Sequence, residues 1–87
     1  MYTYDIRVKF EETVDNKRNI DYTDRAVEIM FSHKGDIEMI GYKKPGKKRF
    51  TWIYLPTEYE MEKYYKIFKV TIKRVETGEE IYNYSNE

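Results

Sequence analysis

The chain has 87 residues, which suffices for one domain, residues 1–87, and leaves no room for a second core. Sixteen basic residues balance sixteen acidic ones, so no net charge draws the protein towards nucleic acid or a membrane. Any electrostatic partner has to be selected by a local patch. The absence of cysteine excludes disulfides, a thiolate nucleophile and a cysteine-based zinc site.

The first ten residues alternate polar and apolar side chains, and they lack the continuous apolar core of a signal peptide. Apolar runs elsewhere are only a few residues long, far short of a membrane span. We therefore expect a cytoplasmic protein without a membrane partner.

Residues 2–10 follow the two-residue period of a half-buried strand. The apolar members of this strand are Tyr2, Tyr4, Ile6, Val8 and Phe10. The polar segment over residues 11–24 predicts a long connection that contains a short turn at Asp15–Lys17. Ile20 and Tyr22 are expected to pack onto the core from this connection.

Three further strands are predicted over residues 25–32, 36–43 and 48–55. A three-residue loop at His33–Gly35 and a turn at Pro45–Gly46 would join them into a meander. This register pairs Ile37 with Tyr54, Met39 with Trp52 and Gly41 with Phe50. It gathers one apolar face that we expect to be core: Val27, Ile29, Phe31, Ile37, Met39, Phe50, Trp52 and Tyr54.

A helix is predicted to begin after Pro56, where Thr57 and Glu60 have the spacing of a capping box. Apolar residues follow at helical spacing and would lie on the face of the meander. These residues are Met61, Tyr64, Tyr65 and Phe68.

Residues 69–77 allow two interpretations. The helix could continue to Thr77 and stop at Gly78, or the segment could be a strand of a terminal hairpin. The hairpin would pair Arg74 with Glu80, Ile72 with Tyr82 and Val70 with Tyr84, and the β-branched residues of this segment favour it.

The predicted fold class is α+β. It consists of an antiparallel β-meander of about four strands covered by one helix, followed by a C-terminal β-hairpin. The element order is ββββαββ, with a longer C-terminal helix as the alternative.

Catalytic groups are sparse. His33 is the only histidine and lies in a predicted turn beside Ser32, whereas a triad needs three groups that converge from a rigid scaffold. One histidine and scattered carboxylates do not form a metal-ligand set, and no glycine-rich phosphate loop is present. We therefore predict no catalytic, metal-binding or cofactor-binding residue, and no enzyme activity.

The most pointed feature of the chain is a basic hairpin tip without an acidic residue. Its cations could contact phosphates or an acidic protein surface, and the neighbouring Tyr42 could stack on a base. The plainer interpretation is a solvated tip whose lysines protect an exposed sheet edge from aggregation. The predicted partner-binding residues are Tyr42, Lys43, Lys44, Lys47, Lys48 and Arg49.

These features predict a small non-catalytic binding protein that acts through protein–protein contacts. A short, cysteine-free chain rich in Tyr, Lys and Glu is typical of bacteriophages and mobile elements. An inhibitor or modulator of a host factor, such as an immunity nuclease, is therefore the leading hypothesis. The alternatives are a single-stranded nucleic-acid-binding module that uses the basic tip with aromatic stacking, and a homo-oligomeric structural subunit, for example a homodimer.

Overall fold

A computed structural model describes residues 2–13 and 19–86. The predicted turn at Asp15–Lys17 lies outside these residues. The elements are β1 (Tyr4–Glu12), β2 (Asn19–Ala26), β3 (Glu28–Lys34), β4 (Ile37–Lys43), β5 (Phe50–Leu55), α1 (Glu58–Tyr64), β6 (Tyr65–Arg74) and β7 (Glu80–Ser85). The described chain is thus mostly antiparallel β-structure with a single helix, as the α+β class predicts.

The strands form two antiparallel sheets. Sheet I has the order β2-β1-β6-β7, and sheet II has the order β3-β4-β5. The prediction of one four-strand meander is therefore wrong in arrangement, because β1 pairs with β2 and β6 in sheet I. The chain passes between the sheets at Val27, whose backbone N–H donates to the carbonyl of Lys43 at 2.9 Å.

The core lies between the two sheets. Sheet I contributes Ile6, Val8, Ala26, Phe68, Val70 and Ile72, and sheet II contributes Ile40, Tyr42, Ile53 and Leu55. Side chains on alternate positions of a strand point to opposite faces. In β4 and β5 the buried face is consequently the one opposite to the face predicted as core. In β3 the predicted residue Ile29 does pack against the core, and Phe31 shares that inner face with Ile40 but is 56% exposed.

The geometry of the β3–β4 turn explains this correction. The β3–β4 turn has two residues, Gly35 and Asp36, and pairs Phe31 with Ile40. The predicted three-residue loop, His33–Gly35, would have paired Phe31 with Ile37. This is a register change of three positions. Because side chains alternate between the two faces of a strand, an odd change places Phe31 on the face of Ile40 and not on the face of Ile37.

Beyond Lys43, the chain forms a loop over residues 44–49 before Phe50, so Met39 pairs with Tyr54 and Gly41 with Trp52. This register differs from the predicted one by two positions, which leaves the same side chains together on one face.

Strand β2 falls in the segment that was predicted as a connection. It pairs with β1 from Glu11–Asn19 to Tyr4–Ala26. Its inward positions include Asp24, whose carboxylate breaks the apolar alternation that Ile20 and Tyr22 begin.

The capping box at the start of α1 is confirmed. The Thr57 hydroxyl accepts from the Glu60 backbone N–H at 3.2 Å, and a Glu60 carboxylate oxygen accepts from the Thr57 N–H at 3.1 Å. The helix ends at Tyr64, so Tyr65 and Phe68 belong to β6. It packs against β6 and does not cover sheet II, because sheet I occupies the inner face of that sheet.

The C-terminal hairpin is also confirmed, and the longer helix is wrong. Ile72 pairs with Tyr82 and Val70 with Tyr84, as predicted. A register shift after Ile72 places Glu80 opposite Lys73 instead of Arg74. Tyr82 and Tyr84 thereby face the core.

Candidate functional site: the outward face of sheet II

The outward face of sheet II is mainly apolar, although β3 also places Glu28, Ser32 and Lys34 on it. Cross-strand partners share a face of a sheet, and the pairs Met30–Gly41, Gly41–Trp52 and Met39–Tyr54 place these residues together. We call this surface the apolar face; it consists of Met30, Ile37, Met39, Phe50, Trp52 and Tyr54. Four of its side chains are well exposed: Met30 at 42%, Ile37 at 45%, Trp52 at 39% and Tyr54 at 64%.

Gly41 lies at the centre of the apolar face, between Met30 and Trp52, and the Trp52 ring covers it. A Cβ added at Gly41 would approach the Trp52 ring carbons to 2.8–3.0 Å, which is closer than real Cβ contacts allow. The missing side chain therefore lets the indole lie flat on β4. The Phe50 ring lies 5.9 Å from the Trp52 ring, and the Lys43 ammonium lies 5.1 Å from the Phe50 ring centre.

The outward face of sheet I is a useful comparison, since it belongs to the same molecule and is also antiparallel. It carries charged residues at cross-strand positions. Arg7 donates to Asp21 at 3.0 and 3.1 Å, and Arg25 donates to Asp5 at 2.7 Å. Such a face is well suited to water. The fold thus has a charged outward face on sheet I and an apolar outward face on sheet II. An antiparallel sheet commonly carries polar residues on the face that is turned away from the core, so the apolar face of sheet II is the unusual one.

The predicted cations lie at one end of the apolar face. We call Lys43, Lys44, Lys47, Lys48 and Arg49 the basic loop. Lys43 lies 3.8 Å from a Glu28 carboxylate oxygen, and Lys44 lies 3.5 Å from Asp24. The other three cations are exposed and have no ion pair with a residue that the structure describes.

The structure separates Tyr42 from the predicted site. Its ring is 1% exposed and lies in the core, so it offers no face to a base or to a partner. Its hydroxyl donates to an Asp24 carboxylate oxygen at 2.6 Å and links the two sheets. Burial, together with this hydrogen bond to a carboxylate, raises the pKa of Tyr42 well above its ordinary value.

The apolar face was missed as a surface because the sequence analysis assigned Trp52 and Tyr54 to the core. Both faces of residues 37–55 carry apolar residues, as a strand buried on two sides also would. The signal that could have separated the faces is small. Ile40, Ile53 and Leu55 are purely aliphatic, whereas the opposite set contains Lys43, Trp52 and Tyr54.

Other possible sites are weaker. No group of three or more His, Asp or Glu side chains within residues 2–13 and 19–86 is arranged to hold a metal ion. His33 is exposed beside the β3–β4 turn and pairs in register with Glu38. No helix in the described part of the chain is long and apolar enough to cross a membrane.

Comparisons with known proteins add no assignment: no family model, no curated protein and no solved structure matches the chain. Function must therefore be argued from the surfaces themselves.

Proposed function

We propose that this chain is a non-catalytic binding protein that contacts another protein through the apolar face, with the basic loop at its rim. One observation carries the proposal: the outward face of sheet II exposes Met30, Ile37, Trp52 and Tyr54 together. A contiguous exposed apolar surface on a small domain is characteristic of an interaction site.

The composition of the apolar face supports a protein partner. Trp, Tyr, Phe and Met are the side chains enriched at protein interfaces, and Trp and Tyr dominate the residues that contribute most to affinity. Trp52 lies near the centre, held against Gly41, and such fixed aromatic anchors lose little conformational entropy on binding. Inhibition or modulation of a host factor, which requires binding alone, is the role that we propose for such a surface.

The test begins with co-purification of the tagged protein from its native cells, followed by reconstitution with the purified partner. Tyr54→Lys places a charge on the apolar face, whereas Asn83→Lys adds the same charge on the exposed edge strand of sheet I. We expect Tyr54→Lys to weaken the reconstituted complex by about tenfold or more, or by at least about 1.4 kcal/mol. Equal affinities for the two variants would exclude the apolar face as the binding surface.

A second candidate is single-stranded nucleic acid. Phe50, Trp52 and Tyr54 alternate along β5 on one face, about 7 Å apart for adjacent members, and could stack on successive bases beside the basic loop. Fluorescence anisotropy with labelled oligonucleotides at low salt tests this candidate. Binding should weaken steeply with added salt, and no binding at protein concentrations of tens of micromolar would exclude it.

A further inference from the structure

The two ends of the apolar face carry opposite charge. The basic loop lies at one end, where Lys47, Lys48 and Arg49 are exposed. At the other end, Asp36 lies in the β3–β4 turn, and Glu58 and Glu60 lie in the first turn of α1.

One pocket places Glu60 directly beside the apolar face. Glu60 shares a pocket of about 220 Å³ with Ile37 and Tyr54, which both belong to the apolar face. Asp36 and Glu58 line an adjoining pocket of about 340 Å³ at the same end of sheet II, which shares Leu55 and Pro56 with the first pocket but contains no residue of the apolar face. Lys34, on the same end of β3, offsets one of the three charges. We call Asp36, Glu58 and Glu60 the acidic end.

A surface that is basic at one end, apolar in the middle and acidic at the other end is complementary to itself. From this charge arrangement we infer that, in the free protein, the apolar face is occupied by a second copy of this chain, which a different protein partner would have to displace. The inference rests on the proposed function in one respect, namely that the apolar face is a protein-binding surface. The two chains of this dimer would be related by a two-fold axis, the commonest symmetry of homo-oligomers.

The charges determine the direction of this axis. A two-fold axis in the interface along the strands would place basic loop on basic loop. An axis across the strands, through the row of Met30, Gly41 and Trp52, reverses the strand direction of the second copy. Each basic loop then lies over the partner's acidic end, while Trp52 approaches its symmetry mate.

The size of the face predicts the strength of the contact. Three strands of six or seven residues extend over roughly 20 Å by 14 Å. The strands of two copies would therefore bury roughly 560 Å² in total, to which the basic loop lying over the partner's acidic end adds, so the contact falls at the weak, transient end of specific interfaces. We expect a reversible dimer with a dissociation constant in the micromolar range, to which the end charges contribute through an attraction that salt weakens.

Charge also argues against the other occupants. A single-stranded nucleic acid that followed β5 from the basic loop would meet three carboxylates at the acidic end, which repel phosphates. A uniformly acidic protein would meet the same repulsion. The second copy is the occupant that satisfies both ends simultaneously.

Sedimentation equilibrium or light scattering over a range from about 1 to about 500 µM, at low and high salt, tests the inference. The expected result is a shift from the 10.7 kDa monomer to twice that mass as concentration rises, with weaker association at high salt. Tyr54→Lys should abolish the shift, and Asn83→Lys should preserve it.

A charge-reversal pair gives the sharper test. One variant carries Lys47→Glu, Lys48→Glu and Arg49→Glu, so both ends of its apolar face are acidic. The other carries Asp36→Lys and Glu58→Lys, which makes the acidic end basic and leaves the capping carboxylate of Glu60 intact. Each variant alone should associate about tenfold more weakly than the wild type, and their equimolar mixture should form a mixed dimer at wild-type affinity.

Other outcomes would overturn the inference and separate it from the proposed function. A monomer at every concentration would exclude the second copy, while Tyr54→Lys could still disrupt a complex with a different protein. Self-association of the separate variants without recovery on mixing would exclude the crossed two-fold arrangement. A monomer whose Trp52 fluorescence responds to oligonucleotides would favour nucleic acid instead. If Tyr54→Lys alters neither self-association nor partner binding, the proposed function fails as well.

Discussion

The Tyr42 hydroxyl connects the two sheets through one short hydrogen bond. It lies in β4 and donates to Asp24 of β2 at 2.6 Å, and Lys44 lies 3.5 Å from the same carboxylate oxygen. We expect Tyr42→Phe to lower the free energy of unfolding by about 1.5–3 kcal/mol, because the bond to a charged acceptor is lost in a part-buried site. Urea unfolding measures the loss.

Tyr59→Phe is the matched control for this substitution. Tyr59 is 66% exposed, and among the residues that the structure describes its hydroxyl accepts a hydrogen bond from Lys63 alone, at 3.1 Å. It should change the free energy of unfolding by less than about 0.5 kcal/mol. Equal losses for the two variants would show that the Tyr42 bond contributes nothing to the joining of the sheets.

The Tyr42 hydroxyl should also make the free energy of unfolding depend on pH. The raised pKa of Tyr42 means that the folded state keeps a proton that the unfolded state releases above the ordinary tyrosine pKa of 10.0. The contribution of the hydroxyl to stability is therefore complete below pH 10 and is lost as the pH rises above it. Urea unfolding between about pH 10 and pH 11 should show that the free energy of unfolding of the wild type falls with pH. In Tyr42→Phe this fall should be shallower, by up to about 1.4 kcal/mol per pH unit. Equal slopes would contradict the prediction.

Gly41 permits the close approach of Trp52 to β4. In Gly41→Ala, the new methyl group would overlap ring carbons at 2.8–3.0 Å, so the indole has to move away from the strand. We expect a loss of about 1–3 kcal/mol in the free energy of unfolding and a changed Trp52 emission spectrum. The cost should largely disappear when Trp52 is first replaced by alanine, and an unchanged cost in that background would contradict the contact.

At the scale of elements, local signals predicted the helix start and the terminal hairpin well. The Thr57–Glu60 capping box and the pairs Ile72–Tyr82 and Val70–Tyr84 depend on residues close in sequence, and the structure contains all of them. Strand β2 was harder to predict, because the inward carboxylate of Asp24 is explained by partners that are distant in sequence, the Tyr42 hydroxyl and the Lys44 ammonium.

The faces of sheet II were harder to predict for a related reason. Alternation divides residues 37–55 into two apolar sets, and only the number of residues in the β3–β4 turn decides which set joins Phe31. Burial then depends on which side sheet I covers, and within these strands only the aliphatic character of Ile40, Ile53 and Leu55 indicates that side. The cations of the basic loop could be located from sequence, whereas the apolar face beside them required the packing of the two sheets.

The capping box itself is testable. Thr57→Ala removes the hydroxyl that accepts from Glu60 at 3.2 Å and should lower the free energy of unfolding by about 1 kcal/mol. Thr57→Ser retains the hydroxyl and is the matched control, with a change expected to be below about 0.5 kcal/mol. Chemical denaturation compares the two, and identical losses would indicate that the cap bond contributes little.

At the scale of the whole molecule, the two sheets share one core, so neither can bury its inner face without the other. Ile40 of sheet II is fully buried in the same cluster as Ile6 and Ile72 of sheet I. We therefore expect the two sheets to unfold together. Trp52 fluorescence, which reports on sheet II, and far-ultraviolet circular dichroism, which reports on both sheets, should give coincident denaturation curves.

Neighbouring residues on β4 test which face of sheet II belongs to this core. Ile40→Ala should lower the free energy of unfolding by about 2–5 kcal/mol, because it leaves a cavity between the sheets. Met39→Ala, one position away on the apolar face, should cost less than about 1 kcal/mol when measured on dilute monomer. Both losses are measured by unfolding each variant in urea, with Trp52 fluorescence as the signal. The opposite order would mean that the Trp52 side of sheet II is the core, and a surface for a second copy would then have to be sought elsewhere on the molecule.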